Sequence, residues 1–282
     1  MDPVALSVCA ALIWGVADFG AGLVSRRASV LIVTAGMLLV GGVASGAVIS
    51  LSSPPGVEER TVALAALAGG VTAIGLAALY RALALGPMSV VAPISAAGVI
   101  IPVIAGLATG DQPSLVQLVG VVAAIAGMFI VVSRSEDATG PDNAAGIRYE
   151  SIVLAVVAAV GLGIYYLAAD AVSDGQTNWF IFSGQIIAGV ALTVAVLVRR
   201  PPLPERRQAA QIVILGFLGL SAWVLSTAAV RSGQISLTTT VTSLYPLVTV
   251  LLAIGLTGES LDRIQTRALA ATFLGVVMIA AG

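Results

Sequence analysis

Ten long apolar stretches run through this chain, and they leave it few ways to fold. They cover 4–24, 30–51, 61–85, 88–109, 115–133, 151–172, 178–198, 209–230, 235–257 and 262–281. Each approaches the roughly 20 apolar residues that an α-helix needs to cross the hydrocarbon core of a bilayer. The runs do not alternate apolar with polar, so membrane-spanning strands are not expected. The breaks carry turn residues: Ser52-Ser53-Pro54-Pro55-Gly56, Gly86-Pro87, Gln112-Pro113-Ser114, Pro201-Pro202-Leu203-Pro204 and Ser232-Gly233. The third and fourth stretches are nearly continuous, which predicts a tight hairpin. Charged residues make up 10% of the chain, against about 25% in a soluble domain. The expectation is an all-α, multi-pass membrane protein with ten transmembrane helices, resident in the cytoplasmic (inner) membrane and without a large soluble domain.

The longest gap without an apolar run is the polar stretch from Arg134 to Glu150, close to the middle of the 282 residues. The blocks on either side resemble each other. Asp111 follows Gly110, and Glu259 follows Gly258, 148 positions later. Gly127 and Gly275 are also 148 apart, as are Gly15 and Gly163, while Gly86 and Gly233 are 147 apart. A period of this length with matching hydropathy predicts a duplicated membrane unit rather than a solenoid. The division is 1–133, a connecting loop 134–149, and 150–282. Five helices per unit is an odd number, so the second unit enters the membrane from the opposite side. The expected relation is a pseudo-two-fold axis in the membrane plane, with a binding cavity between the repeats near mid-bilayer.

Composition excludes whole classes of chemistry. All 13 basic residues are arginine, so histidine catalysis, histidine-bound metal and lysine Schiff bases are impossible. The net charge of −1 gives no reason to expect nucleic acid. Cys9 is the only cysteine and lies inside an apolar run, which reads as packing. Met1-Asp2-Pro3 lacks the basic start of a secretory signal. No catalytic constellation and no glycine-rich phosphate loop is present, so no cofactor is expected and energy must come from a gradient or from exchange.

Small residues are abundant, with 31 glycines. Gly15 and Gly22 share one face of the first helix, and Gly36, Gly42 and Gly46 recur in the second. In lipid, helices associate through close backbone approach, which such residues permit. Pro93, Pro102 and Pro246 fall within the fourth and ninth stretches. Proline removes an intrahelical bond, and helices interrupted in this way often line transporter cavities.

Trp14-Gly15, the run Tyr80-Arg81-Ala82-Leu83-Ala84-Leu85-Gly86-Pro87, and the glycine-acid ends Gly110-Asp111 and Gly258-Glu259 resemble the EamA family of the drug/metabolite transporter superfamily. The resemblance spans both halves. It implies a ten-helix, two-repeat carrier of small metabolites or amino acids. Two departures are visible: Asp111 stands where the first repeat more usually has glutamate, and Leu162-Gly163 replaces a second Trp-Gly.

An ionisable group inside a bilayer is costly and is a functional candidate by default. Asp18 is the clearest, one turn from Trp14 on the same face of the first helix. It reads as a carboxylate for a cation, a proton or a substrate amine, with an arginine partner as the structural alternative. The expected cavity comprises Trp14, Asp18, Tyr80, Ser95, Tyr166 and Tyr245. Tyr165, Trp223, Gln185, Thr239 and Thr242 are further polar or aromatic groups, equally explained by packing and interhelical bonds. Asp111 and Glu259 read as boundary or capping residues. Arg81, Asp170 and Arg231 are candidate gates, with Asp18 pairing Arg81 on one face and Asp170 pairing Arg231 on the other.

The function expected is secondary transport of small metabolites, amino acids or drugs, as an exporter. The alternatives from other classes are an intramembrane enzyme using Asp or Tyr and a channel or accessory subunit. The expected partners are a small-molecule substrate, the lipid bilayer and a coupled proton or ion, with no nucleic acid, in a monomer or homodimer. Eleven arginines flank the odd-numbered connections and two the even-numbered ones. The positive-inside rule therefore places both termini outside, whereas the resemblance implies termini inside.

Overall fold

The computed structural model describes residues 2–52, 56–101, 104–105, 114–116, 118–120, 122–123, 126–127, 130, 148–232, 241–259 and 263–281. The elements are helices α1 (Pro3–Ser25), α2 (Val30–Ser52), α3 (Glu59–Leu85), α4 (Met88–Ala96), α5 (Tyr149–Asp170), α6 (Thr177–Arg199), α7 (Arg206–Ser232), α8 (Tyr245–Leu252) and α9 (Arg263–Ala281). Six of them, α1, α2, α3, α5, α6 and α7, are long and apolar enough to cross a membrane. Among the described residues there is no strand.

Among the described residues, the fourth and ninth apolar stretches are the interrupted ones. After Ala96 the chain tightens into a 3₁₀ turn, Ala97–Val99, and Pro93 lies inside α4. Pro246 is not inside a helix as expected: it occupies the first turn of α8, where its missing N–H is no loss. α8 then loosens into a π-helical turn, Ala253–Thr257, that ends at Gly258 with φ +71°. Pro102 lies outside the described residues.

Outward faces are apolar because they meet lipid. On α1 the exposed residues Val4, Val8, Leu12 and Val16 recur every four positions, which puts them on one stripe. Cys9 is exposed on this outer side, so it does not pack in the core as its apolar surroundings suggest. The inward face carries Ala10, Ala17 and Ala21 at 0% exposure. Such small side chains allow helices to approach closely where no water drives them together.

The heaviest packing runs between the two halves of the chain. α3 lies against α5 and α6, α1 against α7 and α8, α2 against α6 and α7, and α4 against α5 and α8. Exchanging each first-half helix with its second-half counterpart leaves this set unchanged. Within the halves the packing differs: α1 packs closely on α3, while α5 and α7 make no comparable backbone contact. Side-chain size accounts for it. The rings of Tyr165 and Trp223 lie between α5 and α7, 4.2 Å apart, and 148 positions earlier stand Ala17 and Gly75.

Both ends of α3 are tied to the second half. At its start, Gln176 donates to Gly56 O at 3.0 Å and accepts from Glu58 N at 3.1 Å. Just past its other end, Glu259 holds the N-terminus of α4.

Candidate functional site

Asp18 is the one carboxylate buried among the described residues, at 3% exposure. The four-residue outward stripe of α1 fixes the opposite face inward, and Asp18 lies on that face one turn beyond Trp14. Tyr80 of α3, fully buried, donates its hydroxyl to Asp18 Oδ1 at 3.3 Å. Oδ2 accepts no bond among the described residues. Asp18 makes no ion pair there either. Tyr166 and Tyr245 are its other electrostatic neighbours.

A second polar contact crosses between the halves. Ser95 Oγ of α4 and Tyr245 Oη of α8 are 3.4 Å apart. Ser95 gives its single proton to Ala92 O at 2.8 Å, so Tyr245 is the donor of the pair. Thr249, one turn further along α8, donates to Gly15 O at 3.1 Å. Beside these groups lies an aromatic cluster. Trp14 meets Trp223 edge-on at 4.9 Å. Tyr165 continues the cluster, with Phe180 at 5.6 Å and Tyr166 at 5.9 Å. A cavity lined in part by Trp14, Thr34, Tyr80, Gln185, Leu220 and Trp223 opens alongside.

Of the six residues expected in the cavity, Asp18 touches Tyr80 and Ser95 touches Tyr245. Trp14 and Tyr166 meet only the aromatic cluster, through Trp223 and Tyr165, and Tyr166 is half-buried. Asp18 and Arg81 do not pair in this structure. Arg81 follows Tyr80 but turns away from Asp18, and its guanidinium meets Glu150 at 3.5 Å, with both side chains about half exposed (50% and 49%). Asp170 is exposed at the end of α5. The Arg231 side chain, Thr239 and Asp111 lie outside the described residues.

Glu259 does cap a helix, but one in the other half of the chain. Its Oε1 accepts from Met88 N at 3.0 Å, and its Oε2 from Ser89 N at 2.9 Å and Ser89 Oγ at 2.8 Å. Arg26, at the end of α1, approaches the same carboxylate at 3.5 Å. Negative charge at a helix N-terminus is favourable, and these are charge-assisted bonds. The role of Ser89 escapes a reading of the sequence, although a serine just after Gly86-Pro87 at a helix start is its signal. Gln176 gives no such signal. Replacing Glu259 with alanine strands two backbone donors and should cost about 2–3 kcal/mol, seen as a lower melting temperature of the detergent-solubilised protein. Glu259→Gln keeps one acceptor and should lose less; an alanine variant as stable as wild type would show that the clamp contributes nothing.

Electrostatics inside the bundle are one-sided. Every arginine whose side chain is described is exposed, and the sequence has no lysine or histidine. Among the described residues no three metal-ligating side chains cluster.

Residues 3–133 and 150–281 each match the model of the EamA-like transporter family. A solved structure described as "Crystal structure of protein" aligns with a TM-score of 0.67 at 16% identity, covering 98% of this chain and 95% of its own. That likeness is one of fold. No curated protein matches the sequence.

Proposed function

The chain belongs to the EamA-like transporter family, and from that premise we propose that it is a secondary transporter working by alternating access, exporting small metabolites, amino acids or drugs. Membership makes it a multi-pass membrane transporter of small molecules. The finer reading assigns two inverted five-helix repeats, 1–133 and 150–282, joined by 134–149, in the cytoplasmic membrane. The observation that carries it is the packing between halves, which is unchanged when the halves are exchanged. A bundle built that way has two related arrangements, in which the halves trade conformations and the site between them faces one side and then the other. The close α1–α3 packing against the looser α5–α7 pair is the kind of asymmetry one such arrangement requires. Trp14, Asp18, Tyr80, Ser95, Tyr166 and Tyr245 line the substrate site in this reading. With no lysine or histidine in the chain, Asp18 is the group that takes up a coupled proton.

The test is flux through proteoliposomes holding the purified full-length protein and loaded with amino acids, amines and drug-like solutes. At least one solute should leave in a saturable, protein-dependent way and be recovered chemically unchanged. Flux that rises linearly without saturating would mean a channel, and an altered product would mean an enzyme.

A further inference from the structure

We propose that the site around Asp18 selects a singly charged organic cation, an amine or ammonium on an apolar or aromatic body, against anions, zwitterions and metal ions. The inference rests on the transport reading for the use of the site, and on the geometry for its chemistry.

The charge inventory carries the argument. A buried carboxylate stays charged only where an opposite charge or several hydrogen bonds meet it. Asp18 has one hydrogen bond, from Tyr80, and a second oxygen with no partner among the described residues. A cation delivered to it supplies what is missing. An anionic cargo finds the reverse. Every described arginine side chain is exposed, and the chain has no lysine or histidine to send inward. A carboxylate or phosphate brought beside Asp18 would meet like charge with nothing to offset it. A zwitterionic amino acid could satisfy Asp18 with its ammonium, and would then leave its own carboxylate unmet. The cavity wall also offers acceptors: Thr34 spends its proton on Val30 O at 2.8 Å, and Gln185 Oε1 has no donor among the described residues.

A bare metal ion fits no better. Hard cations take about six or more oxygen ligands, and Asp18 stands without a second carboxylate or a metal-ligating cluster among the described residues. An organic cation needs only one counter-charge, and its remaining surface is satisfied by aromatic faces. Trp14 and Trp223 line the cavity, and Tyr166 and Tyr245 neighbour Asp18, so aromatic faces are at hand. One carboxylate matches one positive charge, so dications leave a charge over.

The experiment compares three molecules built on the same phenylethyl skeleton: phenethylammonium, phenylalanine and phenylpropionate. Each is titrated calorimetrically into the purified full-length protein, with Asp18→Asn as the variant. Phenethylammonium should bind at least ten-fold tighter than either of the others, and Asp18→Asn should erase that preference. Equal or tighter binding of the zwitterion or the anion overturns the proposal. So does no binding of phenethylammonium at millimolar concentration, or cation binding that Asp18→Asn leaves unchanged. If the variant does not fold, the three-ligand comparison on the wild-type protein decides alone. The transport reading fails separately: cation binding without protein-dependent flux refutes transport and leaves the charge selection standing, whereas saturable flux of an anion does the opposite.

Discussion

Asp18→Asn protein should reach the membrane in wild-type amounts, melt at or above the wild-type temperature, and transport at least ~100-fold more slowly. The magnitude follows from what the substitution removes. Breaking one side of a buried charge pair costs about 3–5 kcal/mol, and each ~1.4 kcal/mol is a factor of ten. The exchange is nearly isosteric, and the amide oxygen still accepts from Tyr80, so the 3.3 Å contact survives. Only the charge goes. A carboxylate kept for packing would behave in the opposite way, because losing it would lower stability and leave turnover intact. Arg81→Gln provides the contrast. Its pairing with Glu150 is half exposed on both sides, and such pairs contribute about 0–1 kcal/mol. Transport within two-fold of wild type in Asp18→Asn, or a large loss in Arg81→Gln, would sink this assignment. Rates measured in proteoliposomes at matched protein density, beside detergent melting curves, separate the two outcomes.

The contrast between Asp18 and Arg81 also marks what the sequence can and cannot tell about the site. That Asp18 faces inward is legible, because the lipid-facing stripe Val4, Val8, Leu12, Val16 fixes the opposite face of the helix. Its partner is not legible. Tyr80 and Arg81 are adjacent, and adjacent residues on an α-helix point about 100° apart. One of them must therefore face the bundle and the other its edge. Charge alone favours Arg81, but burial decides for Tyr80. An arginine drawn to Asp18 would have to leave both water and Glu150, whereas a tyrosine carries its ring into an apolar core and needs a partner only at its tip. Glu259 was hidden in a similar way. Its position at a helix end suggests a capping role, but the helix it caps lies 170 residues away in the sequence, and only packing between halves brings the two together.

The fold was easier to read, because lipid imposes a periodicity that a water-facing surface does not. Where they are described, the long apolar stretches become helices, with α4 and α8 the irregular ones. Pro246 shows the limit. A proline in an apolar run marks an interruption without saying whether the helix bends there or starts there. In α8 it starts there, two residues after the turn at Ser243–Leu244. The 148-residue spacing of Gly15 and Gly163 was visible as arithmetic, but its cause is a matter of contacts.

Those contacts support the second large effect: Gly163→Leu and Gly15→Leu should each abolish accumulation of folded protein. A side chain built on Gly15 would sit 2.6 Å from Tyr245 O and against Val248 Cβ. One on Gly163 would sit 2.6 Å from Gly98 O and 2.8 Å from Ile101 Cβ. Tyr245 and Val248 belong to the interrupted helix of the second half, and Gly98 and Ile101 to that of the first. Each glycine thus lets a helix of one half cross the broken helix of the other. The obstacles include main-chain oxygens, which cannot rotate out of the way, so the helices themselves must separate. At Gly15 that separation also breaks the 3.1 Å bond from Thr249 to Gly15 O. Overpacking a single methyl costs about 1–3 kcal/mol, and a leucine adds three more carbons at a point of backbone contact. Gly70 is the control: it lies in α3 with nothing within 4 Å of an added Cβ, so Gly70→Ala should gain up to ~1 kcal/mol from helix propensity. The graded series Gly15→Ala, Gly163→Ala and Gly70→Ala can be read by melting temperature in detergent where the leucine variants yield nothing. Should Gly163→Ala prove as stable as Gly70→Ala, the close crossing of α5 on the first half is wrong. Should Gly15 and Gly163 differ sharply from each other, the two halves are not built on a common plan at these crossings, and the exchange of conformations that alternating access needs loses its structural basis.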